Sequence, residues 1–333
     1  MKKYFLAFTF ILVHCCYASH AKQSALKDIH LPSTTIQSIH ENIKSNSITC
    51  RHLIEAYLAR IKKYNLSSKQ VAPINAFTEL NPSMLSQADE LDRLFKKTGE
   101  LVGSLHCVPI VIKDNIDSVD MTTTRGSYAL LGTQPNKNAF IVEKLIRAGA
   151  IIIAKGGMDE FAWGLYGISS RSGRIGNVYD TNKNPGGSSG GSAAAVSASF
   201  ALLSVGTDNS GSVRIPAAFH GLVGLRPSKG LISQRGIFPM GNLDGTAGPI
   251  AKNVQELAIM LDVIAKIDVQ DPKTHKQLRP KTYKSYLNKN GLNSKRIGIV
   301  RKVGTYDLYK AMPKEVQRQI QNTIPNTFQN AWF

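Results

Sequence analysis

Short apolar segments alternate with helical ones along this 333-residue chain. That alternation predicts an α/β domain with a largely parallel, buried sheet. The prediction rests on strands with no polar face, helices between them with one apolar face, and glycine- and serine-rich loops where the two meet.

The elements follow in order. From about Thr49, the residues Leu53, Tyr57, Leu58 and Ile61 fall on one helical face. Asn81-Pro82 reads as a helix start, a capping Asn followed by Pro at the first helical position, and Met84, Ala88, Leu91 and Phe95 continue at helical spacing. Residues 108–112 form a β-branched strand, and residues 143–148 lie in a helix that Gly149 closes. Residues 150–154 form a second buried strand, and 167–191 are loop, rich in Gly, Ser and Asn. A small-residue helix starts at 193–198, a strand follows at 201–205, an amphipathic helix at 254–264 and a last strand at 296–300. No internal repeat is present, and Asp271-Pro272 marks a weak boundary near residue 270.

Hydrophobic residues make up 42% of the chain, enough for a sizeable core, and the formal net charge is +18. A basic balance points to anionic partners. Much of the excess sits within 273–310, without interleaved aromatics, a zinc-finger spacing or an RNA-binding signature. It reads as a solvated basic face, with no nucleic-acid partner.

The N-terminus has the pattern of a secretory signal over residues 1–21. Lys2 and Lys3 supply the charge, residues 4–13 the apolar run, and Ser19-His20-Ala21 the small residues for cleavage after Ala21. The run is too short to span a bilayer comfortably, so no stable membrane insertion is expected once the signal is cleaved. Leu12-Val13-His14-Cys15 approaches a lipoprotein box but carries His14 where a small residue belongs. An exported protein, periplasmic or secreted, is expected. Of the four cysteines, Cys15 and Cys16 leave with the signal. Cys50 and Cys107 could then pair in an oxidising compartment, a question that spacing leaves open. No Cys/His cluster has metal-ligand spacing, so neither metal nor cofactor is expected.

Two glycine-rich segments carry the candidate chemistry, Gly186-Gly187-Ser188-Ser189-Gly190-Gly191-Ser192 and Gly206-Thr207-Asp208-Asn209-Ser210-Gly211-Ser212-Val213-Arg214-Ile215-Pro216. Each offers exposed backbone N–H groups beside a serine, the pairing of nucleophile and anion nest that acyl transfer needs. Upstream, Lys113 follows a buried strand, where desolvation lowers an ammonium pKa. Asp114 leaves the strand on the opposite face and points away. With no close carboxylate, burial alone could bring Lys113 near 7. Residues 186–190 also fit the nucleophile elbow of α/β-hydrolases. That elbow needs a strand before it, whereas 180–185 is loop, and it needs a late His, for which only His220 and His275 are at hand.

Together with Val111-Ile112-Lys113-Asp114-Asn115, Gly221-Leu222-Val223-Gly224-Leu225-Arg226-Pro227-Ser228 and Asp244-Gly245-Thr246-Ala247-Gly248-Pro249-Ile250, these segments resemble the amidase signature family. The resemblance extends from about residue 33 to 301. It implies the amidase-signature fold, a mixed, largely parallel central sheet flanked by helices on both faces. It implies an amidase cleaving a carboxylic amide C–N bond in a small-molecule substrate, with Lys113 as base, Ser188 as the relay held in a cis peptide bond and Ser212 as nucleophile. It further implies an oxyanion hole from the backbone N–H groups of Asn209, Ser210, Gly211 and Ser212, with Asp208 and Arg214 bracing the loop. Ser210 stands where the family usually has Gly, a change that keeps the N–H.

The match fades after Arg301, so the chain divides into a signal (1–21), an amidase signature domain incomplete at its C-terminus (22–301) and a divergent tail (302–333). Family members carry further segments there, and the alternative reading is a truncated, catalytically inactive homologue. Some members feed ammonia to another enzyme inside cells, a role at odds with an export signal. Phe161, Trp163 and Tyr166 form either an aromatic wall of the pocket or part of the core. The substrate and the oligomeric state are not written in the sequence.

Overall fold

The structure is a computed structural model that describes residues 29–66, 73–238, 245–291, 293, 295–296, 302–303, 305–307 and 310–323. The signal pattern and most of the strand expected at 296–300 lie outside the described residues. Residues up to Ser285 form one compact unit and those from Tyr286 a second.

The first unit opens with helices α1 (Ile36–Lys44) and α2 (Cys50–Tyr64). Thr35 and Thr49 cap them with their hydroxyls, which satisfies N–H groups that a helix start leaves open. Leu53, Tyr57 and Ile61 are buried as their spacing requires. Truncating Leu53, with 0% exposure, to Ala would cost roughly 2–5 kcal/mol. Strand β1 (Phe77–Leu80) leads to helix α3 (Met84–Thr98). The helix starts two residues later than Asn81-Pro82 suggests. Buried Asn81 is tied sideways instead, donating from Nδ2 to the Ile152 carbonyl at 2.6 Å and accepting the Ser83 N–H at 2.8 Å.

Strand β2 (Pro109–Lys113), helix α4 (Phe140–Arg147) and strand β3 (Ile151–Gly156) form a parallel pair with its crossover. Gly149 turns the chain between them at φ +87°, and a Cβ there would meet His106 Cα at 2.8 Å. The stretch expected to be all loop holds a small hairpin, β4 (Ile168–Ser169) with β5 (Gly173–Arg174), and the start of helix α5 (Gly190–Ser197). Glycine disfavours a helix intrinsically. Here packing overrides propensity, since Gly190, Gly191 and Ser192 are buried and their small size lets α5 lie close to the sheet. Strand β6 (Leu203–Asp208), helix α6 (Arg214–Phe219), strands β7 (Val223–Gly224) and β8 (Thr246–Ala251) and helix α7 (Val254–Ile264) complete the unit.

The sheet order is β1-β3-β2-β6-β8-β7. β3, β2 and β6 are parallel neighbours at its centre, and β1 and β8 run against them. β7 is antiparallel to β8 and so runs with the central strands. The sheet is mixed and largely parallel, with helices on both faces. Lys113 and Gly156 are register partners. A Cβ on Gly156 would meet Ser192 Oγ at 2.8 Å, so that face of the β2 end looks onto the start of α5.

Cys50 and Cys107 are joined by a disulfide, which ties the first turn of α2 to the approach of β2. Trp163 and Tyr166 are 78% and 66% exposed, and Phe161 is 37% exposed. The core reading of these aromatics is therefore corrected: they sit at the surface, Phe161 in a short 3-10 turn (Glu160–Ala162) and the other two just after it. Among the described residues no helix is long and apolar enough to cross a membrane. In the second unit, β9 (Lys302–Val303) pairs antiparallel with β10 (Tyr306–Asp307), followed by helix α8 (Lys314–Thr323).

Candidate active site

The C-terminal ends of β2 and β6 lie side by side and carry the site. Lys113 closes β2, is fully buried, and holds its Nζ 2.7 Å from Ser188 Oγ, 2.9 Å from Thr207 Oγ1 and 3.3 Å from the Thr207 carbonyl. Burial pushes the ammonium down to about 7, against the carboxylates of Asp159 and Asp208, which pull it up. The expectation of no nearby carboxylate is thereby corrected, although desolvation still prevails. Asp114 does point away. Its carboxylate accepts the Thr124 and Gly126 N–H groups at 3.2 and 3.0 Å and the Thr124 hydroxyl.

Ser188 lies just before α5, and the Gly187–Ser188 peptide is cis. A side chain on Gly187 would run into the Asp159 carboxylate and the Leu165 backbone, so only glycine fits. Asp159 is itself buried and accepts the N–H groups of Tyr166, Gly167 and Ile168 at 3.1, 3.0 and 3.4 Å. The next residue joins the two glycine-rich segments, because the Ser189 N–H donates to the Ser212 carbonyl at 3.1 Å. Ser189 Oγ also lies 3.3 Å from both the N–H and the carbonyl of Thr207. Ser212 is 3% exposed, and among the described residues its hydroxyl has no hydrogen-bond partner.

The loop from β6 to α6 wraps around the Asp208 carboxylate, which is fully buried. It accepts the N–H groups of Gly211 at 2.8 Å and Val213 at 3.0 Å, and the Arg214 guanidinium at 3.0 and 3.1 Å. Arg226 adds an ion pair at 3.5 Å. Burial alone would raise this carboxyl; the Arg214 bonds and the two N–H groups outweigh it and hold it below the usual range. This arrangement alters the expected oxyanion hole. The Gly211 N–H is engaged by Asp208 and faces inward, whereas those of Ser210 and Ser212 have no partner among the described residues.

Sequence reasoning named Lys113, Ser188, Ser212, Asp208 and Arg214, and the structure brings them into one cluster. It missed Thr207, Asn115 and Asp159. Asn115 donates from Nδ2 to Thr207 Oγ1 at 3.1 Å, so the lysine's hydroxyl partner is itself held. The signal for Thr207 was its alternation with Val205 along β6 and for Asn115 its place beside Lys113, but only strand pairing shows that they meet. Among the described residues Cys50, His106 and Cys107 lie within ligand reach of one another. Two of their three donor atoms are committed to the disulfide.

A mixed, largely parallel sheet that brings a desolvated lysine, a serine and a glycine-rich serine loop together at adjacent strand ends defines a class of α/β proteins. A family model described as "Amidase" matches residues 52–326, and the chain belongs to that family. It is 34% identical to a probable amidase of Arabidopsis thaliana, covering 98% of this chain and 66% of that protein. It is 40% identical to a glutamyl-tRNA(Gln) amidotransferase component of Methanosarcina mazei, covering 71% of this chain and 47% of that protein. Among solved structures, a peptide amidase from Stenotrophomonas maltophilia superposes with a TM-score of 0.75 at 37% identity, covering 79% of this chain and 55% of that one. The chain thus spans about half the length of the Methanosarcina relative and of the peptide amidase.

Proposed function

We propose that the protein hydrolyses a carboxylic amide C–N bond through an acyl-enzyme on Ser212, with Ser188 as relay and Lys113 as base. The observation that carries this reading is the fully buried Lys113 Nζ, 2.7 Å from Ser188 Oγ. Neutral Lys113 has two N–H groups for the Thr207 carbonyl and hydroxyl and one lone pair for the Ser188 hydroxyl, which then donates to it. As Ser212 Oγ bonds to the amide carbon, its proton passes to Ser188 and the Ser188 proton to Lys113. The oxyanion is met by N–H groups of the 209–212 loop, with those of Ser210 and Ser212 open to it. Return of the proton through Ser188 to the amine nitrogen breaks the C–N bond, and water then attacks the ester by the same path. The buried surroundings make the neutral form of the base available near pH 7 and strengthen its hydrogen bonds.

A fluorescent fluorophosphonate probe tests the reading on residues 22–333. Labelling of the wild type is expected, with its loss in Ser212→Ala and in Lys113→Ala. A folded wild type that takes no label would refute it. We also propose export, on the N-terminal signal pattern and the disulfide, since such bonds persist in oxidising compartments. Cell fractionation with N-terminal sequencing of the mature protein checks this; a cytosolic protein retaining residues 1–21 would count against it.

A further inference from the structure

Arg125 is a half-buried cation with no anion to neutralise it among the described residues. Its backbone sits in the left-handed region at φ +58°, where a residue of this size is uncommon and often marks function. Two loops pin it there: its N–H donates to the Asp114 carbonyl at 3.2 Å, and its carbonyl accepts the Phe161 N–H at 2.8 Å. The guanidinium lies over the Phe238 ring, 4.2 Å from the centroid. Nε is buried without a partner, and no described acid forms an ion pair with the group. Asp117 feels its charge at longer range only.

The ring under Arg125 belongs to the site. The Phe238 N–H donates to the Asn115 carbonyl at 2.9 Å and its carbonyl accepts from Asn115 Nδ2 at 3.4 Å. Asn115 in turn holds Thr207 Oγ1, the hydroxyl on Lys113 Nζ. Phe161, whose ring lies 6.2 Å from that of Phe238, is two residues from Asp159, which packs on the Gly187–Ser188 peptide. Arg125 therefore bridges the lysine side and the serine side of the cluster at its rim. Nε is buried without a partner and no side-chain hydrogen bond of Arg125 is made among the described residues, so the guanidinium keeps its donors in the fork geometry that fits a carboxylate. Desolvating an unpaired guanidinium is unfavourable, and an arriving anion relieves that cost.

We propose that Arg125 is a specificity-determining residue that selects amides bearing a carboxylate near the scissile bond. This rests on the amide-hydrolase reading above. The carboxylate could sit on the acyl side or on the amine side, and matched substrates tell them apart: glutaryl against valeryl para-nitroanilide for the former, para-acetamidobenzoate against para-methylacetanilide for the latter. The wild type is expected to favour the anionic member of one pair in kcat/KM. Arg125→Met, which keeps an apolar contact with Phe238, should lower that ratio by roughly 10- to 100-fold, and Arg125→Lys should restore part of it. A purely structural Arg125 would move both members together and leave the ratio unchanged, which overturns the proposal, as does a wild type with no preference in either pair. Loss of all hydrolysis in Ser212→Ala keeps the two readings separate. If the wild type hydrolyses none of these amides, the hydrolase reading fails by itself. Calorimetric binding of glutarate then decides: weaker binding by Arg125→Met upholds anion recognition, and equal binding by both proteins overturns it.

Discussion

At the scale of single residues, the proposed chemistry depends on a lysine whose pKa burial lowers to about 7. A fall from 10.5 to about 7 in folded Lys113 corresponds to a folding cost on the order of 5 kcal/mol wherever the unfolded chain would be charged and the folded one must be too. The sign follows from proton counting. Between about 7 and 10.5 the unfolded lysine binds the proton and the folded one does not, so stability rises with pH through that window. Lys113→Met should therefore stabilise the fold, more at pH 6 than at pH 9, as read from urea midpoints. Activity carries the same signature. If Lys113 is the base, as proposed, the rate of probe labelling should rise about tenfold per pH unit below 7 and level off above it, because only the neutral amine can accept the proton. Asp208 works in the opposite sense. Its replacement by Ala leaves the Gly211 and Val213 N–H groups without their acceptor, at a cost of about 2–3 kcal/mol, measurable by denaturation alongside loss of labelling.

At the scale of elements, what the sequence discloses depends on how local the cause is. Helix α7 was legible to its end residues, because its apolar face and the Asn253 cap are both local. Ser188 and Ser212 could be singled out because their glycine-rich surroundings have a distinctive order along the chain, and Lys113 because it follows a buried strand. β1, β7 and β8 were not predicted as strands: β1 and β7 are very short, and β8 reads TAGPIA, with Gly and Pro inside, which lowers strand propensity. Pairing with β6 along its full length overrides that. Thr207 and Asp159 were missed for a related reason, since their partners lie far off in sequence. The disulfide was open for want of a distance, and it yields a prediction here. It closes a separation of 57 residues between α2 and β2. Chain-entropy arguments give such a closure about 4 kcal/mol. The double variant Cys50→Ala/Cys107→Ala should lose up to that much stability, and reductant should then have no further effect on its urea midpoint.

At the scale of the whole molecule, the formal charge of +18 gives the surface a positive field. Lys273, Lys276, Lys281 and Lys284 are all exposed. Such a field accelerates the approach of anionic small molecules and weakens with ionic strength. Labelling by a negatively charged acylating probe should slow between low and physiological salt, whereas a neutral probe should be insensitive. The site also has a long reach in sequence. Lys113 meets Ser188 across 75 residues and Thr207 across 94, and both contacts require the β2–β6 pairing of the sheet's centre. No partial fold of one hairpin or one helix can assemble it. Labelling of the proposed nucleophile Ser212 therefore doubles as a gauge of cooperativity: it should vanish at the same denaturant concentration at which the core melts.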